Sequence, residues 1–158
     1  MPTRSGFCYT AFVMDLYARR IVGWATSARM DTDNAGSALE QAIWQRKHRD
    51  GGDLEGLVHH SDHGSQYLSI AYSGRLVDEG IEASAGAVGS SYDNAAAEAL
   101  NKSYKRELVW RDGPWKDRDD LETATARWVN WYNRTRPHLT NDDDLPPTTA
   151  EHRYNHNH

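Results

Sequence analysis

Phe7–Leu16 reads FCYTAFVMDL and Ile21–Ala25 reads IVGWA, with only Tyr17-Ala18-Arg19-Arg20 between them. The first run is dense in aromatic and β-favouring side chains, the second is short and apolar, and four residues suffice for a tight reversal. The spacing predicts an antiparallel hairpin. Downstream, Thr32 or Asp33 can cap a helix whose apolar positions Ala35, Leu39, Ala42 and Ile43 recur at i, i+4, i+7 and i+8. That helix is expected to reach about Arg49, where Gly51-Gly52 stops it.

A short run, Leu57–Ser61 (LVHHS), reads as a strand that leads into Asp62, and His63-Gly64-Ser65 reads as a loop. A helix capped near Ser69 is expected to carry Ile70, Leu76 and Val77 and to end at Gly80. Ile81–Ala85 reads as a further short strand. Gly86–Ser91 holds two Gly and two Ser and no long side chain, the composition of a mobile loop. Asp93 or Asn94 then caps a helix to about Val109, and Gly113-Pro114 breaks the pattern. Asp117 or Asp119 starts a last helix with Leu121, Ala124, Trp128 and Tyr132 on one stripe, ending before Pro137. Strands and helices in this order make a mixed α/β arrangement. Residues 139–158, with three consecutive Asp, Pro146-Pro147 and a terminal His156-Asn157-His158, read as a poorly ordered C-terminal tail.

The 158 residues are room for one ordinary domain. Apolar residues at 38%, with six Trp and eight Tyr, can bury a real core, and 26% charged residues argue against general disorder. A formal charge of −5 excludes a uniformly basic nucleic-acid coat protein. It leaves room for a local basic groove, because phosphate contacts need only a few placed cations. The single cysteine, Cys8, excludes an internal disulfide and a Cys-rich zinc site. No apolar run nears the roughly 20 residues that span a bilayer, and no leader pattern follows Met1. The expectation is a soluble, cytoplasmic protein that does not engage a membrane.

Two acids stand out by placement. Asp62 lies where a strand meets a loop, and Glu98 lies in the first turns of the helix after the Gly/Ser stretch, with 35 residues between the two. Taken singly, a turn-forming Asp and a Glu favoured by the helix N-terminus are the plainer readings. The helix itself strengthens the functional one. At about 100° per residue, Lys102 falls about 40° from Glu98 and Lys105 about 20° to the other side, with Arg106 near the edge of that face. Leu100, Tyr104 and Leu108 fall at roughly 200°, 240° and 280°, so the opposite face is apolar. A carboxylate followed by cations on one exposed face suits phosphodiester chemistry, and equally an ordinary solvated face with an i,i+4 pair. His59, His60 and His63 are near neighbours, but adjacent strand residues point to opposite faces, which argues against one shared ion. Trp128 and Tyr132 read as core, with Arg127, Arg134 and Arg136 in solvent.

Four motifs occur in order: HHSDHGSQY (His59–Tyr67), SYDNAAAEAL (Ser91–Leu100), KRE (Lys105–Glu107) and YNRTRPH (Tyr132–His138). With DLYARRIVGW (Asp15–Trp24), they resemble the catalytic core of bacterial insertion-sequence transposases, of the DDE type in the retroviral-integrase superfamily. The resemblance covers about residues 3–138. It implies an RNase H-like mixed sheet with flanking helices in a core spanning 1–138. It also implies metal-dependent cleavage and transfer of DNA strands by two aspartates and a glutamate that hold two divalent ions, Mg²⁺ or Mn²⁺. Asp62 matches the second aspartate and Glu98 the glutamate, so these two are the expected catalytic and metal-binding residues. Lys102, Lys105 and Arg106 are the expected DNA contacts. The implied partners are transposon-end and target DNA and, for activity, further copies of the chain.

The match has a gap. In this family the first aspartate lies on a strand just before the turn that here reads Pro2-Thr3-Arg4-Ser5-Gly6, so no residue of this chain matches it. The chain is therefore expected to be truncated at the N-terminus and to lack the first, central strand, which would lie between the hairpin and Leu57–Ser61. Asp15 aligns instead with a structural aspartate at the hairpin turn. Two alternatives follow: a catalytically incomplete remnant that binds DNA or pairs with an intact transposase, and a metal-dependent nuclease of the same fold.

Overall fold

A computed structural model describes residues 2–4, 6–28, 32–52, 54–55, 57–61, 70–85, 90–138 and 141–157. Strand β3 (Tyr9–Met14) pairs antiparallel with β4 (Ile21–Ser27), Tyr9 opposite Ser27 and Phe12 opposite Trp24, with a register shift after Val13. The reversal is built as expected for a short turn. Asp15 N–H donates to Arg20 O (2.8 Å), the Asp15 carboxylate accepts from Ala18 N–H (3.2 Å), and Arg19 takes the left-handed conformation at φ +64°. Asp15 thus has the turn-shaping role that its position suggested. Pro2-Thr3 (β1) and Gly6-Phe7 (β2) form a second, two-residue hairpin around the Arg4 turn, and Thr3 also bridges to Trp115.

Helix α1 (Thr32–Trp44) lies across the hairpin with Ala35, Leu39, Ala42 and Ile43 buried, as the periodicity predicts. It prolongs to Arg49 as a wider π-helical turn, and Gly51 at φ +64° ends it. The close approach depends on Gly23: a methyl group there would sit 2.2 Å from Ala38 O. Strand β5 (Val58–Ser61) runs parallel to β6 (Glu82–Ala85), connected through α2 (Ile70–Asp78). Leu76 is buried with Leu39, Ile43 and Leu54. Val77, expected inward, is 74% exposed, because the next helical position lies about 100° around from Leu76.

Helix α3 runs Ser90–Tyr104, continues through a π-helical turn at Lys105–Val109, and closes with the short α4 (Trp110–Asp112). Ser90 and Ser91, expected in the preceding loop, are already helical, so Asp93 and Asn94 lie within the helix rather than capping it. Residues 86–89 of that loop fall outside the described residues, as do His63-Gly64-Ser65 and Ser69. Helix α5 (Arg118–Arg134) starts at Asp117, whose carboxylate accepts from Asp120 N–H (2.9 Å). Its buried stripe is Leu121, Thr125, Trp128, Val129 and Tyr132, with Ala124 partly buried. This stripe meets Leu100, Tyr104, Leu108 and Val109 of the α3 segment, Trp115, and Phe12 and Trp24 of the hairpin in one core.

Among the described residues no strand joins the β3–β4 sheet to the β5–β6 sheet. The free side of β4 is finished by side chains. The Asn133 amide accepts from Ile21 N–H (2.8 Å) and donates to Ile21 O (2.9 Å), and Gln41 Oε1 accepts from Trp24 N–H (2.8 Å).

The segment read as a poorly ordered tail contains a helix, α6 (Pro147–Asn157). Pro147 is buried, and Asn141 donates through its amide to Ala18 O and Leu145 O, both at 3.0 Å. Glu151 pairs with Arg20 (2.6 Å) and Arg46 (3.0 Å), which also share Asp50 at 3.1 Å each. This helix has no wide apolar stripe for periodicity to reveal. Polar tertiary contacts and a proline at its first position tie it down.

Candidate functional site

The site residues that the structure describes all lie on α3 and its continuation. Leu100, Tyr104 and Leu108 are buried at 4%, 1% and 6%, so the helix faces inward along the predicted stripe. Glu98, Lys102, Lys105 and Arg106 are all exposed on the outer side. None of the four has an ion-pair partner among the described residues. Asp62 lies outside the described residues. Its chain neighbour Ser61 is paired with Ala85, so the described ends of β5 and β6 stand side by side, four residues of sequence ahead of α3.

Two devices hold this helix in place. A run of hydroxyl groups passes through the core from the hairpin to α5. Thr125 Oγ1 donates to Leu121 O (2.8 Å), so it accepts from Tyr104 Oη (2.7 Å). Tyr104 in turn accepts from Thr10 Oγ1 (3.1 Å), and Thr10 accepts from Thr26 Oγ1 (3.0 Å). Burial pushes the Tyr104 hydroxyl pKa upward, which keeps it a donor. The second device is ionic. The Arg136 guanidinium grips Glu107 with Nε and Nη2, at 2.8 to 3.1 Å, and lies over the Tyr132 ring at 5.5 Å. The same Glu107 hydrogen bond raises the Arg136 pKa.

The YNRTRPH run therefore acts as a staple. Tyr132 and His138 are buried edge to face, with ring centroids 4.5 Å apart, while Asn133 holds the hairpin and Arg136 holds the α3 continuation. His138 Nε2–H donates to Tyr132 O (3.4 Å), and burial lowers its pKa. Trp128 and Tyr132 are core, with Arg127 and Arg134 exposed, as expected; Arg136 is held by Glu107 rather than left in solvent. The family resemblance picked out KRE and YNRTRPH as motifs but not the Glu107–Arg136 pair that joins them. The complementary charges, 29 residues apart, were the available signal.

Among the described residues no group of His, Cys, Asp or Glu is clustered to hold a metal ion. Glu98 itself suits a hard divalent ion: it offers carboxylate oxygens, open to solvent and without a cationic partner among the described residues. No helix of the structure is long and apolar enough to cross a membrane.

Comparisons with known proteins agree with this arrangement. One integrase core domain family matches residues 1–91, and a second family of the same description matches residues 79–146. A protein of insertion sequence element IS986/IS6110 from Mycobacterium tuberculosis is 50% identical over 154 residues, 98% of this chain and 55% of its own. The transposase for insertion sequence element IS629 of Shigella sonnei is 47% identical over 98% of this chain and 49% of its own. The chain thus spans about half the length of the curated relatives it matches. Among solved structures, a simian T-cell lymphotropic virus intasome chain superposes with a TM-score of 0.67 at 12% identity, covering 96% of this chain and 51% of that one. The HTLV-2 integrase catalytic core domain, solved in complex with magnesium, gives 0.53 at 15% identity, covering 88% and 80%. The fold is that of the RNase H-like integrase cores, and the chain belongs to the integrase core domain family.

Proposed function

We propose that this chain is the catalytic portion of a DNA-transposing enzyme, with Asp62 and Glu98 as its carboxylate metal ligands and Lys102, Lys105 and Arg106 on the DNA backbone. The observation that carries the reading is the outer face of α3, where one exposed carboxylate is followed by three exposed cations, none with an ion-pair partner among the described residues, in a member of the integrase core family. Both the insertion-sequence relatives and the magnesium-bound integrase core support it. Divalent ions, when bound, supply Lewis-acid stabilisation of charge at the scissile phosphate. The chain's own residues do the rest. Glu98 offers its oxygens to the ion, the cations hold the phosphates, and the Tyr104 hydroxyl run and the Glu107–Arg136 pair fix the helix that presents them. The third carboxylate that such a triad needs is not assigned among these residues. The alternative reading is a non-cutting partner that binds DNA or an intact transposase.

The test is incubation of the purified protein with Mn²⁺ or Mg²⁺ and labelled transposon-end DNA, alone and with Glu98→Gln. Joined products that vanish in the variant support strand transfer, and simple cleavage supports a nuclease. Retardation without breakage supports the non-cutting partner. A protein that neither binds DNA nor takes up Mn²⁺ at Glu98 would refute the assignment.

A further inference from the structure

The α3 helix changes phase just past its basic residues. In an uninterrupted α-helix Val109 would lie about 20° from Glu98, on the solvent face, and Trp110 about 120° away. Instead Leu108 and Val109 are both buried, at 6% and 5%, and Trp110 is 70% exposed. The Lys105–Val109 π turn, closed by Trp110 N–H to Lys105 O, inserts one residue and sets the phase back by about 100°. Trp110 then falls about 20° from Glu98. Glu98, Lys102, Lys105, Arg106 and Trp110 form one exposed stripe roughly 18 Å long.

The stripe is selective in charge. Between residues 99 and 111 the only acid is Glu107, which Arg136 holds. Arg111, further round, pairs with Asp112 at 3.5 Å. A large indole left in solvent beside cations suits a polyanion with aromatic faces, since phosphates take the cations and an unpaired base stacks on the ring.

We propose that Trp110 is the distal DNA contact of this stripe, a stacking platform for an unpaired base of a strand whose phosphates lie on Lys102, Lys105 and Arg106. The inference rests on the reading of the chain as a DNA-acting core, and its test separates the two. Affinity is measured for a blunt duplex and for the same duplex with a single-stranded 3′ overhang, across a salt series. Trp110→Leu is expected to weaken overhang binding about tenfold with the blunt duplex little changed, while Trp110→Tyr, which keeps a stacking face, retains it. Lys102→Gln with Lys105→Gln weakens both DNAs and reduces the salt slope by about one per lysine. If the lysine variants weaken binding but Trp110→Leu binds the overhang like the parent, the Trp110 assignment fails and the DNA reading stands. If the parent binds neither DNA, both fail. If Trp110→Leu converts a dimer to a monomer on sedimentation, a second copy covers the ring and the proposal is overturned.

Discussion

Replacing Gly23 by alanine should loosen the seam between α1 and the hairpin. The new methyl group would lie 2.2 Å from Ala38 O, 2.8 Å from Ala42 N and 2.9 Å from Ala42 Cβ. An ordinary carbon-to-oxygen contact is about 3.3 Å or more, so α1 must retreat by roughly 1 Å at its middle. Two of the three contacts are backbone atoms, which no change of rotamer relieves. Overpacking of this kind costs about 3 kcal/mol, and at roughly 2–4 °C per kcal/mol the melting temperature should fall by about 6–12 °C. Gly36, on the same helix, is the internal control. A methyl group there meets nothing within 4 Å, so Gly36→Ala gains helix propensity of about 0.5–1 kcal/mol. One substitution at two positions on the two sides of the seam should therefore shift stability in opposite directions. Far-UV circular dichroism of both variants, by heat and by urea, reads the difference. Adding Ala42→Gly to Gly23→Ala should recover little, because the Ala38 carbonyl contact remains. A Gly23→Ala protein as stable as the parent would refute the packing argument.

Tyr104→Phe removes the acceptor of Thr10 and the donor to Thr125 while keeping the ring, and should cost about 1–3 kcal/mol, read as a lower urea midpoint with an unchanged m-value. Folding should also become less favourable in mild acid through His138. Burial holds its folded pKa below the ordinary 6.5, so the unfolded chain takes up the proton first. The contribution is complete above that value and is lost as pH falls from there through the lower folded pKa. The melting temperature of the parent should drop over this window more than that of His138→Gln, and parallel curves would count against a buried neutral imidazole.

The parts of this molecule that could be read in advance are those whose physics is periodic. The β-rich runs around Tyr17–Arg20 foretell the hairpin, and Ala35, Leu39, Ala42 and Ile43 foretell the buried face of α1. Leu121, Trp128 and Tyr132 do the same for α5, and Leu100 and Tyr104 orient Glu98 outward. What escaped is aperiodic. The π turn leaves only the adjacent pair Leu108-Val109 as its trace, and α6 is held by Glu151 and Asn141 rather than by an apolar stripe. The staple depends on Asn133 and Arg136 meeting partners 112 and 29 residues away, a matter of tertiary geometry that spacing along the chain does not encode. Asp62, the other half of the proposed carboxylate pair, lies outside the described residues, directly after the β5 end at Ser61.

The amide plugs on Ile21 and Trp24 give the hairpin a polarity. A strand seeking main-chain partners finds the Ile21–Ser27 border interrupted at both positions, so its ladder cannot start there without evicting Asn133 and Gln41. A segment that extends this sheet, from this polypeptide or another, therefore meets less obstruction beside Tyr9–Met14 than beside Ile21–Ser27.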